Sequence, residues 1–156
     1  WLVSKMLVPV DFSQAKTIIE LGPGLGGLTK KLLTRMSREA KLFVFELNPN
    51  FCRELNKIND YRLQVLNVSA LAMADYLKEQ KVDYVLSGLP LTNFDHKNRL
   101  VLLQIIKNIL EPNGRYIQFQ YSLGARKELQ SIFNQVRIKF TLFNIPPAFV
   151  YQCKTI

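Results

Sequence analysis

A glycine-rich stretch after the first apolar run is the part of the sequence best suited to chemistry. Gly22, Gly24 and Gly26 lack a Cβ, so a ligand can approach the backbone closely at this turn. Gly22, Gly24 and Gly27 also satisfy the dinucleotide-binding spacing, so the glycines alone leave the ligand open. Glu20 precedes them by two residues, and its charge would repel a pyrophosphate but attract a sulfonium or ammonium group.

A second carboxylate, Glu46, ends the next apolar run along the chain. At the end of the second strand of a nucleotide-binding sheet, a carboxylate accepts hydrogen bonds from the hydroxyls of a ribose. The alternative interpretation is a helix-capping or surface acid. Together with the glycine turn, Glu46 predicts a site for a nucleoside that carries a positive charge.

A parallel sheet would place the glycine turn and Glu46 side by side at the ends of two strands. The sequence has the alternating pattern of strands and helices that predicts such a sheet. Strand-like apolar runs alternate with helix-period segments, which is typical of βαβ units. The predicted strands cover residues 17–21, 41–46, 62–66, 82–87 and 115–121. The predicted helices cover residues 27–36, 50–57, 70–78, 95–110 and 123–135, the fourth ending at a turn over residues 111–114.

The pattern changes near the carboxyl terminus. Two strand-like runs, residues 136–144 and 149–154, are joined by four residues, a link too short for a parallel return. We therefore predict an α/β fold, a Rossmann-like doubly wound sheet of five parallel strands plus a C-terminal antiparallel hairpin. The length of 156 residues predicts a single domain over residues 1–156, and the start at Trp1 suggests that a natural N-terminal segment is missing.

Charge is the unusual feature of the composition. Lys and Arg number 21 against 12 Asp and Glu, a net charge of +9, which favours an anionic partner such as nucleic acid or an acidic membrane surface. A generally basic, solvated surface is the alternative. No apolar run reaches the roughly 20 residues that span a bilayer. Cys52 and Cys153 match no metal-ligand spacing, so we expect no metal site and reduced thiols in an intracellular protein.

Residues 20–26 and 45–48 resemble the first two motifs of class I S-adenosylmethionine-dependent methyltransferases. The resemblance implies S-adenosyl-L-methionine as the cofactor, with the glycine turn beneath its amino-acid part. It implies that Glu20 helps to hold the amino group and that Glu46 and Leu47 meet the ribose. The family commonly has Asp-Ala beside the adenine where this chain has Ser69 and Ala70, a weaker hydrogen-bonding pair.

The segment after the fourth strand decides the methyl acceptor. Ser87 ends that strand, at the edge where the family places the acceptor-side loop against the cofactor. The related rRNA adenine dimethylases carry an Asn-Leu-Pro-Tyr motif there, but this chain has Gly88 for Asn and Leu91 for Tyr, so both base-handling groups are missing. Residues 87–91, 110–115, 118–122 and 144–150 instead resemble bacterial phospholipid N-methyltransferases, which convert phosphatidylethanolamine stepwise to phosphatidylcholine. The resemblance places Gly88, Leu89, Pro90 and Leu91 at the substrate.

A lipid acceptor agrees with the position of the charge. Basic residues cluster around the first predicted helix and its exit, and they would attract an anionic bilayer: Lys30, Lys31, Arg35, Arg38 and Lys41. The solvated face of an amphipathic helix is the alternative. Trp1, Leu2 and Met6, with Lys5 toward the headgroups, resemble the remains of an interfacial helix. We expect a cytoplasmic, monomeric protein bound peripherally to the membrane.

The expected reaction is in-line attack of a neutral amine on the sulfonium methyl group, helped by holding donor and acceptor close together. A primary ammonium has a pKa of about 10, so a proton must leave first. Tyr121, at the end of the fifth predicted strand, and His96, the single histidine, are the candidate catalytic residues. Two alternatives stay open, an rRNA or other nucleic-acid adenine N6-methyltransferase and a non-catalytic protein that binds S-adenosylmethionine.

Overall fold

Seven strands form one sheet with helices on both faces. The computed structural model describes residues 2–141 and 146–155. The strands are β1 Thr17–Leu21, β2 Lys41–Phe45, β3 Leu63–Leu66, β4 Val82–Ser87, β5 Leu110–Gln120, β6 Gln135–Thr141 and β7 Ala148–Lys154. The helices are α1 Leu2–Leu7, α2 Gly27–Arg35, α3 Pro49–Leu55, α4 Met73–Leu77, α5 His96–Ile109 and α6 Arg126–Ile132, with short 3₁₀ helices at Ala70–Ala72 and Leu91–Asn93.

The strand order confirms the predicted fold class. The order is β3-β2-β1-β4-β5-β7-β6, with β1 to β5 parallel and β7 antiparallel to both β5 and β6. The order reverses between β1 and β4. The carboxyl ends of these two strands therefore flank the crevice in which open α/β sheets bind their ligands.

Two apolar layers hold the sheet between its helices. Successive side chains of a strand point to opposite faces, so Ile18 packs with α1, α2 and α3, whereas Ile19 packs with α4, α5 and α6. The side chains of β1 are buried at every position, as expected for a central parallel strand. The carboxyl ends of the strands are thus held on a rigid base.

The fifth strand begins earlier than the sequence predicts. Leu110 already pairs with Val82, and the register shifts before Arg115 pairs with Tyr84, so the expected turn is a bulge within the ladder. A Cβ at Gly114 would lie within 3.1 Å of three backbone atoms, which explains the glycine. The helix predicted over residues 123–135 is also shorter than expected.

The first helix belongs to the core, which corrects one expectation. Met6 is 2% exposed and packs with Leu28 and Leu32 of α2, so it cannot face a membrane in this arrangement. Trp1 and residues 142–145 lie outside the described residues, and with them the end of the strand predicted over residues 136–144 and the start of the motif over residues 144–150. Within the described ranges, none of the helices is long and apolar enough to cross a bilayer.

Candidate functional site

The glycine turn links the end of β1 to the start of α2. Gly22, Gly24 and Gly26 all have positive φ, at 65°, 56° and 79°, a region that glycine enters without the steric cost of a Cβ. The turn is anchored by Gly22 N, which donates to Phe45 O at 3.0 Å at the end of β2. A Cβ on Gly24 would meet no atom within 4 Å, so the backbone there faces open space. The turn therefore offers exposed backbone at the sheet edge.

Glu20 lies beneath this turn. The side chain is 1% exposed, and Oε2 accepts a hydrogen bond of 2.6 Å from Thr29 Oγ1 in the first turns of α2. Burial raises the pKa of Glu20 to about 7, partly opposed by the Thr29 hydrogen bond. The sequence predicted a carboxylate open to the crevice, whereas the structure buries it against Thr29, a residue that sequence reasoning missed.

Glu46 follows β2 and bridges two loops. Oε2 accepts from Gly24 N at 3.3 Å, and Oε1 accepts from Asn48 N at 2.8 Å at the start of α3. Asn67 Nδ2 donates to the backbone oxygens of Glu46 and Leu47 at 2.8 and 3.0 Å, which holds the loop against the end of β3. A carboxylate has about four lone-pair positions, so Glu46 keeps acceptor capacity for a ligand.

A small cavity brings several predicted residues together. Its volume is about 60 Å³. It is lined by residues that follow β1, β2, β3 and β4: Gly22, Phe45, Glu46, Leu47, Val68, Ser69, Ala70, Leu89 and Phe94. Phe94 and Val68 were not among the residues predicted from the sequence. Glu20, Gly24, Gly26 and Ser87 lie in the neighbouring strands and turn and are not part of the lining.

The lining has the chemistry that a nucleoside requires. Glu46 supplies a carboxylate for hydroxyl groups, and Phe45 and Val68 supply apolar walls for a base. Ser69 Oγ accepts from Leu71 N at 3.2 Å and so caps the short helix that follows. Because one water requires roughly 10–15 Å³, the cavity holds only part of a nucleoside. Movement of the Leu89 side chain, which is part of the lining, would enlarge the cavity.

The acceptor-side loop lies directly against the glycine turn. Gly88 N donates to Leu21 O at 2.9 Å, and a Cβ at Gly88 would lie 3.1 Å from Gly22 O. Two glutamines of β5 hold the loop, since Gln118 and Gln120 each donate from Nε2 to Leu89 O, at 2.9 and 3.2 Å. Neither glutamine was predicted as a site residue.

The remaining residues of this loop differ in exposure. Ser87 is buried, and its Oγ accepts from Leu89 N at 3.2 Å. Pro90 is exposed, whereas Leu91 is 1% exposed and packs into the core. Leu91 therefore offers no stacking surface to a base.

The two candidate catalytic residues have different surroundings. Tyr121 is 55% exposed directly after β5, and its ring packs edge-on against Phe119, with centroids 5.5 Å apart. Phe119 lies 3.6 Å from the Cβ position of Gly88, so this aromatic pair borders the acceptor-side loop. His96 begins α5 and places Nδ1 3.1 Å from Glu128 Oε1 of α6. Neither Tyr121 nor His96 is among the residues that line the cavity described above.

Neither cysteine lies in a metal-binding cluster. Cys52 and Cys153 are both free and buried. Over residues 2–141 and 146–155, no group of three or more His, Cys, Asp or Glu side chains is placed to hold a metal ion.

The sheet order, the glycine turn after β1 and the acidic residue after β2 define a class I methyltransferase. A family model described as a methyltransferase domain matches residues 18–114, and the chain belongs to this family. A curated relative, an ornithine lipid N-methyltransferase from Singulisphaera acidiphila, is 26% identical over 99% of this chain and 83% of its own length.

Solved structures share the fold at low sequence identity. Human methyltransferase-like protein 13 in complex with SAH superposes with a TM-score of 0.74 at 14% identity, over 99% of this chain and 80% of its own. Precorrin-6y C5,15-methyltransferase from Geobacter metallireducens gives a TM-score of 0.79 at 12% identity, over 99% of this chain and 88% of its own. Family membership and the SAH complex support S-adenosylmethionine as the cofactor.

Proposed function

We propose that this protein is an S-adenosylmethionine-dependent N-methyltransferase that acts on the amine of a lipid headgroup, namely phosphatidylethanolamine and its methylated intermediates. The observation that carries the proposal is the match to an ornithine lipid N-methyltransferase along 99% of the chain. Ornithine and ethanolamine headgroups share a primary amine close to an anionic group. The match therefore supports a lipid amine as the acceptor class, and the loop resemblance favours phosphatidylethanolamine within that class.

The proposed cofactor site uses residues from the ends of three neighbouring strands. When bound, S-adenosylmethionine supplies an electrophilic methyl group. Glu46 would accept the ribose hydroxyls with the lone pairs that Gly24 and Asn48 leave available. Ser69 and Ala70 would border the adenine. The ionised form of Glu20, below the turn, would add negative charge beneath a cationic ligand.

The residues of the acceptor-side loop favour an amine over a nucleobase as the methyl acceptor. At Gly88 an asparagine would place its Cβ 3.1 Å from Gly22 O, closer than an ordinary contact, so the loop in this form favours glycine. Leu91 is buried and has no aromatic ring to stack on a base. These two features argue against the adenine methyltransferase that the shared first motif leaves open.

Tyr121 is the proposed contact for the amine. Its hydroxyl can accept a hydrogen bond from the amine and orient the nitrogen lone pair, while the released proton passes to solvent. We expect Tyr121→Phe to lower kcat for lipid methylation about tenfold or more, because one orienting hydrogen bond is lost. Tyr61→Phe is the matched control, since Tyr61 is 80% exposed and donates to Arg38 O elsewhere on the surface. Equal rates for wild type and Tyr121→Phe would remove Tyr121 from the mechanism.

Recruitment to the membrane is the second part of the proposal. All five basic side chains of the predicted cluster are exposed: Lys30, Lys31, Arg35, Arg38 and Lys41. Each can add about 1 kcal/mol of attraction to an anionic bilayer. Leu25, in the glycine turn, and Leu47, after β2, are also exposed at the sheet edge that carries the site. Leu25 and Leu47 therefore support contact of the site's edge with the headgroups. Arg35 and Lys41, at the end of α2 and the start of β2, lie toward the opposite edge of the sheet, so these two charges support long-range attraction to the membrane but not this orientation.

Transfer of a labelled methyl group tests the function directly. The acceptors are vesicles of phosphatidylethanolamine, vesicles of ornithine lipid, both with phosphatidylglycerol, and unmodified ribosomal RNA. We expect label in the phosphatidylethanolamine lipid fraction. Label only in ornithine lipid would keep a lipid amine as the acceptor but replace phosphatidylethanolamine by ornithine lipid as the substrate. Label only in RNA would overturn the proposal. Calorimetric binding of S-adenosylmethionine with no transfer to any acceptor would indicate a non-catalytic binding protein.

A further inference from the structure

A second cavity lies on the other side of the acceptor-side loop. Its volume is about 130 Å³, and it is lined by Leu91, Thr92, Arg99, Gln120, Ser122, Gly124 and Ala125. Residues 87–94 form a wall shared by the two cavities, because Leu89 and Phe94 line the first while Leu91 and Thr92 line the second. The second cavity is therefore adjacent to the site where a methyl group would be transferred.

One charged side chain dominates this second cavity. Arg99 projects from α5, and its Nε lies 2.6 Å from Glu128 Oε2 of α6. Nη2 donates to Glu128 Oε1 at 2.7 Å, so the carboxylate holds one edge of the guanidinium group. Nη1 donates to Leu91 O, a long contact of 3.4 Å on the cavity wall. These contacts fix the orientation of the guanidinium, and Arg99 is one of the residues that line the cavity.

The neighbouring residues add a few polar groups to a lining that is otherwise mostly apolar. Gln120 uses Nε2 to hold Leu89 O, so its amide joins the loop to the cavity. Thr92 and Ser122 place hydroxyl groups on opposite segments of the lining. A cavity of about 130 Å³ is some ten times the space that one water needs, which suits a small polar group. The combination of an oriented guanidinium and hydroxyls is typical of an oxyanion site.

We propose that this second cavity receives the oxyanion beside the acceptor amine and that Arg99 binds it. The inference rests on the proposed function and adds the group that recognises the headgroup. The oxyanion is the phosphodiester of phosphatidylethanolamine or the carboxylate of an ornithine headgroup, and both suit a guanidinium. Glu128 is a positioning residue that holds Arg99, and it also accepts a hydrogen bond of 3.1 Å from His96 Nδ1.

Two variants test whether Arg99 binds the oxyanion: one removes the positive charge, and the other adds a negative charge to the cavity wall. Arg99→Gln removes the oxyanion partner, and Thr92→Glu places a carboxylate at the cavity wall on an exposed residue, where folding is little affected. Arg137→Gln is the control, because it removes an equal charge from exposed β6. Arg99→Lys tests rescue by a conservative change. Vesicles with a neutral phosphatidylcholine carrier keep the membrane charge constant.

We expect Arg99→Gln and Thr92→Glu to raise the KM for the lipid about tenfold or more with kcat unchanged, since a charge-assisted contact is lost. Arg99→Lys should recover part of the loss, and Arg137→Gln should behave as wild type. A shift confined to phosphatidylethanolamine or to ornithine lipid would identify the phosphodiester or the carboxylate as the bound group.

The outcomes separate this inference from the function on which it rests. If wild type methylates a lipid amine and both variants keep the wild-type KM, the oxyanion site is wrong and the proposed function stands. A fall in kcat and in melting temperature for Arg99→Gln, with an unchanged KM for Thr92→Glu, would make Arg99 a structural link between α5 and α6 only. If wild type methylates no lipid, the function and the inference fail together.

Discussion

Glu20→Gln is the substitution with the clearest expected effect on stability. Burial raises the pKa of Glu20 to about 7 from the ordinary 4.5. Each pKa unit corresponds to about 1.4 kcal/mol, so the ionised side chain costs the folded state roughly 3 kcal/mol. Below pH 4.5 the carboxyl is protonated in both states, and the cost is absent. Between pH 4.5 and about 7 the unfolded chain ionises first, so stability falls as pH rises, and above that range the loss is complete.

Glutamine keeps an oxygen that can accept from Thr29 but cannot ionise. The free energy of unfolding of Glu20→Gln should therefore exceed that of wild type increasingly with pH, by up to roughly 3 kcal/mol more at about pH 8 than at about pH 4. Urea unfolding followed by circular dichroism measures the difference. Thr29→Val is the companion variant, because it removes the hydrogen bond that lowers the pKa of Glu20 and should therefore enlarge the total pH-dependent loss of stability and extend it to higher pH. A difference between Glu20→Gln and wild type that stays constant with pH would refute the reasoning.

Three further substitutions test the glycine turn and the end of α2. Alanine at Gly22 or Gly24 places a Cβ in a left-handed conformation, at a cost of about 1 kcal/mol, but only at Gly22 would that atom lie 2.4 Å from Leu89 Cδ2. Thermal unfolding should therefore show a larger loss for Gly22→Ala than for Gly24→Ala, and equal losses would contradict the contact. Arg62→Gln should destabilise the protein by about 2 kcal/mol in urea unfolding, because Arg62 donates to Met36 O at 2.7 Å and supports the end of α2.

The sequence predicts strands most accurately where they are buried on both faces, because a short apolar run then marks the whole strand. Residues 17–21 and 82–87 were predicted with the bounds that β1 and β4 have, since a short apolar run between polar residues has few alternatives. The start of β5 was predicted too late. A Pro-Asn-Gly turn signal is local, whereas the bulge that absorbs it depends on pairing with β4, which is distant in sequence.

The candidate site was predictable only where chemistry coincides with the end of a strand. Glu46 ends a predicted strand and Ser69 comes shortly after another, so their place at the sheet edge follows from topology. No comparable sequence pattern marks the residues that support the site from elsewhere: Thr29, Gln118 and Arg99. Each acts through a contact made in the folded chain, and Gln118 meets Leu89 O across 29 positions of sequence. The periodicity of a strand or helix does not specify such partners.

The structure also separates what is fixed from what must move when a ligand enters. The backbone of Leu89 is held at its oxygen by Gln118 and Gln120 and at its nitrogen by Ser87 Oγ. Its side chain, in contrast, lies over Gly22, where an added Cβ would meet it at 2.4 Å. Rotation of this one side chain would therefore enlarge the first cavity without breaking a hydrogen bond, whereas displacing the loop would break three. Because the same loop forms a wall of the second cavity, opening the first cavity by that rotation would leave the hydrogen bonds of the shared wall intact.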